Sequence, residues 1–229
     1  MLQFFKLARP DLLSEYRFEV KVPLDVGQYT VLHQHLYQNG LFPKRAFADR
    51  TVNSIYFDTF DRNDYADNIS GVGDRLKTRI RWYDGNLSAL VLERKIKSNK
   101  ASRKEQKPLT NAGNIYPGER SNCEQLAQEN RDVVAIAFAS PVFPVLEVQY
   151  QRRYFTLGPD LRMTVDTDQM FKRLQPHPQS RFSRSTVHSV VEFKFPAGDR
   201  IKMQRMLQNL PFRVFRHSKY VIGTEVTGY

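Results

Sequence analysis

The stretch RLKTRIRWY, residues 75–83, alternates cationic and non-cationic side chains at almost every step. Successive side chains of a β-strand point to opposite faces of a sheet, so this stretch predicts a strand with its cations in one row. The cations of the row are Arg75, Lys77, Arg79 and Arg81. Because like charges in a row repel one another, the pattern indicates that a bound polyanion supplies the missing counter-charge.

Similar alternation elsewhere in the chain predicts further strands, for a total of eight. In most of these segments one face is apolar, and the other carries charges of mixed sign with cations in excess. The predicted strands are residues 16–22, 52–58, 75–83, 89–97, 145–157, 161–167, 187–195 and 212–222.

Two architectures fit this pattern. An antiparallel sheet with its polar face in water is the commoner use of alternation. Eight strands also suffice to close a barrel with a polar interior. Because Arg, Lys and isolated Glu recur at matching places in several strands, we favour the barrel. The predicted fold is therefore α+β, a closed antiparallel eight-stranded β-barrel with helices packed outside it.

Helical spacing of apolar residues predicts the helices, and weakly patterned basic stretches predict two loops between elements. The predicted helices are residues 25–37, 60–67, 122–138 and 199–210, and the predicted loops are residues 98–117 and 173–186.

Length and composition predict one compact domain over residues 1–229, since 41% of the residues are apolar. The formal net charge of +11 indicates an anionic partner. Nucleic acid is not the expected partner, because the cations alternate along strands and do not cluster on an exposed helix. The single cysteine, Cys123, excludes an internal disulfide and a zinc cluster. The lack of a signal peptide or membrane-spanning run predicts a soluble, cytoplasmic protein.

Seven segments together resemble the VTC domain, the catalytic domain of the vacuolar transporter chaperone polyphosphate polymerase. That domain is a branch of the triphosphate tunnel metalloenzyme superfamily. The resemblance runs from about Tyr16 to Gly223 and implies an eight-stranded barrel that forms a tunnel. The segments are SIYFDT (54–59), RLKTRIRWYDG (75–85), VLERKIK (91–97), YQRRYFTLG (150–158), LRMTVDT (161–167), VVEFKF (190–195) and RHSKYVIG (216–223).

The resemblance implies transfer of the ATP γ-phosphoryl group onto a growing polyphosphate chain, with Mn²⁺ or Mg²⁺ as cofactor. It assigns the metal to Glu192. If Glu192 is not the ligand, Glu19 or Glu93 is the next candidate. The catalytic set that it implies is Arg79, Arg81, Lys95, Arg152 and Lys219. The additional phosphate-binding residues are Lys21, Lys77, Arg162, Lys194, Arg216 and Ser218. Lys104 is added as a tunnel-mouth contact, chosen from the loop cations Lys100, Arg103, Lys104 and Lys107.

Several alternatives stay open. Resemblance selects Arg152 to face the tunnel, whereas counting parity from Glu147 selects its neighbour Arg153. Arg17 stands where the wider superfamily has the first Glu of a Glu-x-Glu-x-Lys strand, which favours the polymerase over the triphosphatase and adenylate cyclase branches. The alternatives to a polymerase are a tunnel triphosphatase and a non-catalytic module that binds polyphosphate or nucleotide. The expected ligands are ATP and polyphosphate; a separate membrane partner and the oligomeric state are left open.

Overall fold

The computed structural model describes residues 17–98, 101–110, 113, 115–130, 142–174, 181–185, 187–210, 212 and 217–228. Its strands are β1 (Arg17–Leu24), β2 (Lys44–Asp58), β3 (Arg75–Tyr83), β4 (Val91–Ser98), β5 (Ala101–Pro108), β6 (Phe143–Thr156), β7 (Arg162–Arg173), β8 (Ser183–Arg184) and β9 (Ser189–Pro196). Its α-helices are α1 (Gln28–Gln38), α2 (Asn63–Ser70), α3 (Arg120–Glu129), α4 (Arg200–Gln208) and α5 (Lys219–Val226).

The strands form one sheet in the order β1-β9-β7-β6-β2-β3-β4-β5, with the short β8 paired to β7. The pairs β1–β9, β2–β3, β3–β4 and β4–β5 are antiparallel. Among the described residues no pairing joins the end strands β1 and β5, so the sheet is open. The α+β class is therefore confirmed, and the predicted closure of the barrel is wrong.

The chemistry of β5 explains both the open edge and a missed strand, since residues 98–117 are predicted as a loop. β5 reads ASRKEQKP and carries charged or polar side chains on both faces. Charges and proline on an edge strand disfavour pairing with another strand, and Pro108 has no N–H to donate. Because neither face is apolar, no hydrophobic alternation identifies β5 in the sequence.

The C-terminal segment is helical where the sequence predicts a strand over residues 212–222. The β-branched run after Lys219 favours a strand, but helix α5 begins there and ends at Val226. Its buried face is Tyr220, Gly223 and Thr224, which is helical spacing. A Cβ on Gly223 would lie 2.5 Å from the Phe171 ring, so the missing side chain permits the helix to pack closely. Residues 213–216 lie outside the described part of the chain.

The other predicted helices are present with shifted ends. Helices α1, α2 and α4 correspond to the predictions over residues 25–37, 60–67 and 199–210. Helix α3 begins at Arg120 and ends at Glu129, and the predicted extension over residues 131–138 lies outside the described residues. The predicted loop over residues 173–186 contains the two-residue strand β8, while residues 175–180 and 186 are not described.

The chain divides into two compact units, which are described separately. The first unit comprises Met1–Ala48, Arg153–Val165 and Ser189–Arg216. Its core joins β1 and β9 to α1 and α4, as in the contacts of Val22, Phe193, Leu32 and Met206. Val191, Phe193 and Phe195 are at most 2% exposed, which confirms the predicted apolar face of β9.

The second unit comprises Asp49–Arg152, Asp166–His188 and His217–Tyr229. It contains two apolar clusters. Ile55, Ile80 and Trp82 pack with Leu126 of α3 in one cluster. In the other, Tyr56 of β2 and Tyr150 of β6 pack with Tyr220 of α5. Strand β2 is buried from Val52 to Asp58, and its Ile55 and Tyr56 belong to different apolar clusters.

Candidate functional site

The cation row of β3 lies against a glutamate and a tyrosine in the second unit. Arg79 is paired in register with Tyr56 of β2 and Glu93 of β4. Its Nε atom donates to Glu93 Oε2 at 2.7 Å, and its Nη2 atom lies 2.5 Å from the same oxygen. Its Nη1 atom donates to the Tyr56 hydroxyl at 2.9 Å. All three nitrogens of this guanidinium therefore contact groups within the unit.

Glu93 is a buried carboxylate shared by several donors. Its side chain is 4% exposed, and its Oε1 atom accepts from Lys104 Nζ at 2.8 Å and from Gln106 Nε2 at 2.6 Å. Arg81 Nη1 lies 3.6 Å from Oε2. Burial alone would raise the pKa of Glu93, but Arg79, Arg81 and Lys104 lower it to about 2. Glu93 is therefore ionised at neutral pH.

A second carboxylate, Asp166 of β7, is held in the same way. Arg152 of β6 donates to it through Nε at 2.6 Å and Nη2 at 2.7 Å, and Lys219 Nζ donates at 2.5 Å. Asp166 is fully buried. Burial would raise the pKa of this carboxyl, but Lys219 and Arg152 hold it well below its usual range.

Tyr150 of β6 connects the two carboxylate groups. Its hydroxyl accepts from Arg81 Nη2 at 3.4 Å. Its ring faces Lys219 Nζ at 4.5 Å and the Arg152 guanidinium at 5.2 Å from the ring centroid. These distances fit cation–π contacts, which are attractive because the face of an aromatic ring is electron-rich.

Two more lysines and the start of helix α5 extend this group. Lys77 Nζ donates to Ser218 Oγ at 2.9 Å, and the same oxygen accepts from the Val221 N–H at the helix start. Lys95 is exposed and lies opposite Lys77 on β3 and Lys104 on β5. We call the whole set the cation cluster: Lys77, Arg79, Arg81, Lys95, Lys104, Arg152 and Lys219, with Glu93, Asp166, Tyr56 and Tyr150.

The first unit contains a different set of predicted site residues, which we call the charge ladder: Glu19 and Lys21 of β1 with Glu192 and Lys194 of β9. The strand register places Lys21 opposite Glu192 and Glu19 opposite Lys194. Lys194 Nζ lies 2.7 Å from Glu192 Oε1, and Lys21 Nζ lies 3.0 Å from Glu19 and 3.7 Å from Glu192. Glu192 is buried, and the Glu19 side chain is 30% exposed.

The charge ladder is the better candidate for a divalent cation. Within the described ranges, no group of three or more His, Cys, Asp or Glu side chains is arranged to hold a metal. Mg²⁺ commonly uses one or two protein carboxylates and takes its other ligands from phosphates and water. Glu19 and Glu192 can supply that number. Glu93 and Asp166 fit less well, because arginine forks already occupy them.

The remaining predicted residues are placed as follows. Arg162 is exposed on β7 in the first unit, and Arg216 lies outside the described residues. Arg152 contacts Asp166, whereas the guanidinium of Arg153 lies over the Tyr29 ring at 5.2 Å. The choice of Arg152 by resemblance is thus the one that joins the cation cluster.

Counting alternate residues along β6 from Glu147 selects Arg153, because Glu147 is assumed to lie on the same face as the site. Glu147 does not face the cation cluster, and its carboxylate instead accepts a hydrogen bond from the Tyr116 hydroxyl at 2.6 Å. Counting from Glu147 therefore follows the opposite face of β6.

Three residues of the cation cluster are not among the predicted site residues: Tyr56, Tyr150 and Asp166. Each lies in a segment that carries the resemblance, and Asp166 shares its strand parity with Arg162. Burial would raise the pKa of Tyr56, but Arg79, Arg81 and Lys77 outweigh it and lower the pKa to about 8. In the sequence, the usable signal for all three residues is their place in these segments.

Comparison with known proteins gives a family match and a fold match. The sequence matches the VTC domain family over residues 9–227. No curated protein matches the chain in sequence. None of the helices in the described ranges has the length and apolar character needed to cross a membrane.

Several solved structures share the fold. A candidate adenylyl cyclase from Hippeastrum with a dominant triphosphatase activity is 16% identical, with 92% of this chain and 96% of that chain covered and a TM-score of 0.55. A candidate adenylate cyclase from Bacillus halodurans is 11% identical, with coverages of 89% and 94% and a TM-score of 0.53. A Pyrococcus horikoshii OT3 protein is 13% identical, with coverages of 90% and 97% and a TM-score of 0.50. At these identities the likeness concerns the fold alone.

Proposed function

The chain belongs to the VTC domain family, and on this premise we propose that it is a polyphosphate polymerase that uses ATP and a divalent cation. The observation that carries the proposal is the cation cluster of the second unit, which contains seven cations and two buried carboxylates. Such an excess of positive charge on one face of the strands suits a ligand with many negative charges.

In the proposed reaction, a terminal oxygen of the polyphosphate chain forms a bond to the γ-phosphorus of ATP. The bond from that phosphorus to its bridging oxygen breaks, and ADP leaves. Phosphoryl transfer depends mainly on alignment of the reacting groups and on neutralisation of the phosphate oxygens. Arg79, Arg81 and Arg152 suit this role, because a guanidinium donates two parallel hydrogen bonds to a phosphate.

The lysines add mobile point charges around these arginines. We assign Lys95 and Lys219 to the reacting phosphates. The other proposed phosphate contacts are Lys21, Lys77, Lys104, Arg162, Lys194, Arg216 and Ser218.

Glu192 is the proposed metal ligand, with Glu19 as its partner in the charge ladder. A bound Mn²⁺ or Mg²⁺ would neutralise phosphate oxygens during the transfer. The neighbouring Lys21 and Lys194 hold the carboxylate of Glu192 at 3.7 and 2.7 Å. Their flexible side chains can move from the carboxylate to a phosphate when substrate binds.

A tunnel triphosphatase is the second candidate. The triphosphatase activity of the Hippeastrum protein, whose structure shares this fold, favours it. Both reactions need the same phosphate contacts, and they differ in whether a phosphate chain or water accepts the phosphoryl group.

The test is incubation with ATP and Mn²⁺, followed by gel staining for phosphate polymers and measurement of ADP and free orthophosphate. We expect ADP and polymer to form together. Release of orthophosphate with no polymer at any time would assign the protein to the triphosphatase class. Nucleotide binding with neither product would leave only the non-catalytic module.

A further inference from the structure

Glu93 and Asp166 accept hydrogen bonds from the arginine N–H groups that would otherwise bind a phosphate. Glu93 Oε2 accepts from Nε and contacts Nη2 of Arg79, and Asp166 takes the same two nitrogens of Arg152. A carboxylate and a phosphate fit this fork in similar ways, because each presents oxygens at the spacing of the two N–H groups. The two anions therefore compete for the same donors.

Lysines complete both contacts. Lys104 lies 2.8 Å from Glu93 Oε1, and Lys219 lies 2.5 Å from Asp166 Oδ2. Each carboxylate is thus bound by one arginine fork and one ammonium group. Burial on its own would raise both pKa values, but the neighbouring cations lower them, so both groups stay charged at neutral pH. Protonation does not release the cations under those conditions, whereas another anion can.

We propose that Glu93 and Asp166 are resident counter-ions that make the cation cluster select long phosphate chains over short ones. This inference rests on the proposed phosphate binding at the same cluster. When an orthophosphate displaces one carboxylate, one anion replaces another, and the net gain in binding free energy is small. A chain displaces the first carboxylate and then meets the second at high effective concentration, because its phosphoryl groups are linked.

Tyr150 supplies the physical link between the two displacements. Its hydroxyl contacts Arg81 beside Glu93, and its ring contacts the two cations that hold Asp166. Arg81, which lies beside Glu93, and the two cations that hold Asp166 therefore surround one side chain. A linear chain of phosphoryl groups suits that arrangement better than separate phosphate ions.

The test compares chain-length preference in the wild-type protein, Glu93→Gln and Asp166→Asn. Binding of orthophosphate, pyrophosphate and tripolyphosphate is measured by calorimetry without metal. In the wild type we expect tripolyphosphate to bind much more tightly than orthophosphate. In each variant the affinity for orthophosphate and pyrophosphate should rise about tenfold, with a smaller gain for tripolyphosphate, because one competing anion is gone.

Glu105→Gln is the matched control. Glu105 lies on β5 between Lys104 and Gln106, and it contacts Arg94 and Arg103 instead of the cation cluster. This variant removes the same charge from the same unit, so it should leave the chain-length preference unchanged. An equal shift in Glu105→Gln would show that net charge alone sets affinity, and this would overturn the proposal.

Two further results would overturn the counter-ion proposal. An unchanged preference in Glu93→Gln and Asp166→Asn, or an equal loss of affinity for all three phosphates, would show that the carboxylates are structural. If Glu93→Gln fails to fold, Glu93→Asp keeps the charge but shortens its reach to Arg79. It should shift the preference in the same direction by a smaller factor, and no shift would overturn the proposal.

The result can be separated from the proposed catalytic function. Chain-length preference is a binding property measured without metal or ATP. If the protein makes no polymer but its preference for tripolyphosphate depends on Glu93, the polymerase proposal fails and the counter-ion proposal stands. If polymer forms and the preference is independent of both carboxylates, only the counter-ion proposal fails.

Discussion

The cation cluster and the charge ladder are both built from alternating charged residues on paired antiparallel strands, yet their charge balance differs. In the cluster, arginine forks hold two buried carboxylates, and the cations outnumber them. In the ladder, two glutamates alternate with two lysines, and the lysine contacts have no fork geometry. Strand alternation therefore sets where the charges lie, while cross-strand register sets whether they are neutralised.

The largest expected effect is on the cluster. Arg79→Ala removes a fork proposed to hold phosphate, so we expect kcat for polymer formation to fall about a thousandfold. The fold should persist, because Glu93 keeps Lys104, Gln106 and Arg81 as partners. Steady-state ADP release and circular dichroism provide the two measurements.

Arg94→Ala is the matched control for this change. Arg94 neighbours Glu93 on β4, but its guanidinium contacts Glu105 at 3.3 Å. We expect near-normal turnover in this variant. Equal losses in Arg79→Ala and Arg94→Ala would mean that the cluster has no special role.

The ladder provides a smaller effect that depends on metal. Glu192→Gln preserves the shape of the side chain and removes its charge, so turnover should fall about a hundredfold if Glu192 holds the cation. Added Mn²⁺ should restore little of the loss. Nucleotide binding without metal should persist or tighten, because a repulsive carboxylate is gone. Wild-type Mn²⁺ dependence in the variant would exclude Glu192 and leave Glu19 as the candidate.

The smallest effect concerns pH and is specific to the cluster. Because the pKa of Tyr56 is lowered to about 8, its phenolate forms above that pH next to Arg79 and competes with phosphate. Metal-free tripolyphosphate affinity in the wild type should therefore decrease by a few fold above about pH 8, and Tyr56→Phe should bind with little change there. Identical pH profiles would contradict this role.

The stability of the fold should rise with pH over the range in which the tripolyphosphate affinity falls. The folded-state pKa of Tyr56 is below the usual value of 10.0, so the unfolded chain binds more protons between about pH 8 and 10. The free energy of unfolding of the wild type should rise across that range relative to Tyr56→Phe, and the gain should disappear as the pH falls through 8. Chemical denaturation at several pH values measures it.

Sequence alone predicts the elements in which one face is apolar. The rows on β3 and β9 follow from alternation, because Ile80, Trp82, Phe193 and Phe195 define their buried sides. It fails for β5, which has no apolar face, and for α5, whose β-branched residues mimic a strand. Closure of the sheet also cannot be derived from strand number, because it depends on pairing between β1 and β5.

The partners of the cations are harder to predict than the cations. Arg79 and Glu93 are separated by 14 positions, and Lys219 and Asp166 by 53. Only the strand register and the packing of α5 bring such pairs together. For this reason the sequence identifies Arg79, Arg152 and Lys219 as cations of interest without revealing the carboxylates that hold them.

The close packing at Gly223 has an evolutionary consequence. A side chain at this position would collide with the Phe171 ring and with Leu146, whose Cδ2 atom would lie 2.7 Å from the new Cβ. A lineage that acquires alanine there must lose volume at one of these two positions or displace α5, which begins at Lys219. Substitutions at the three positions should therefore be inherited together, even though none of them carries a charge.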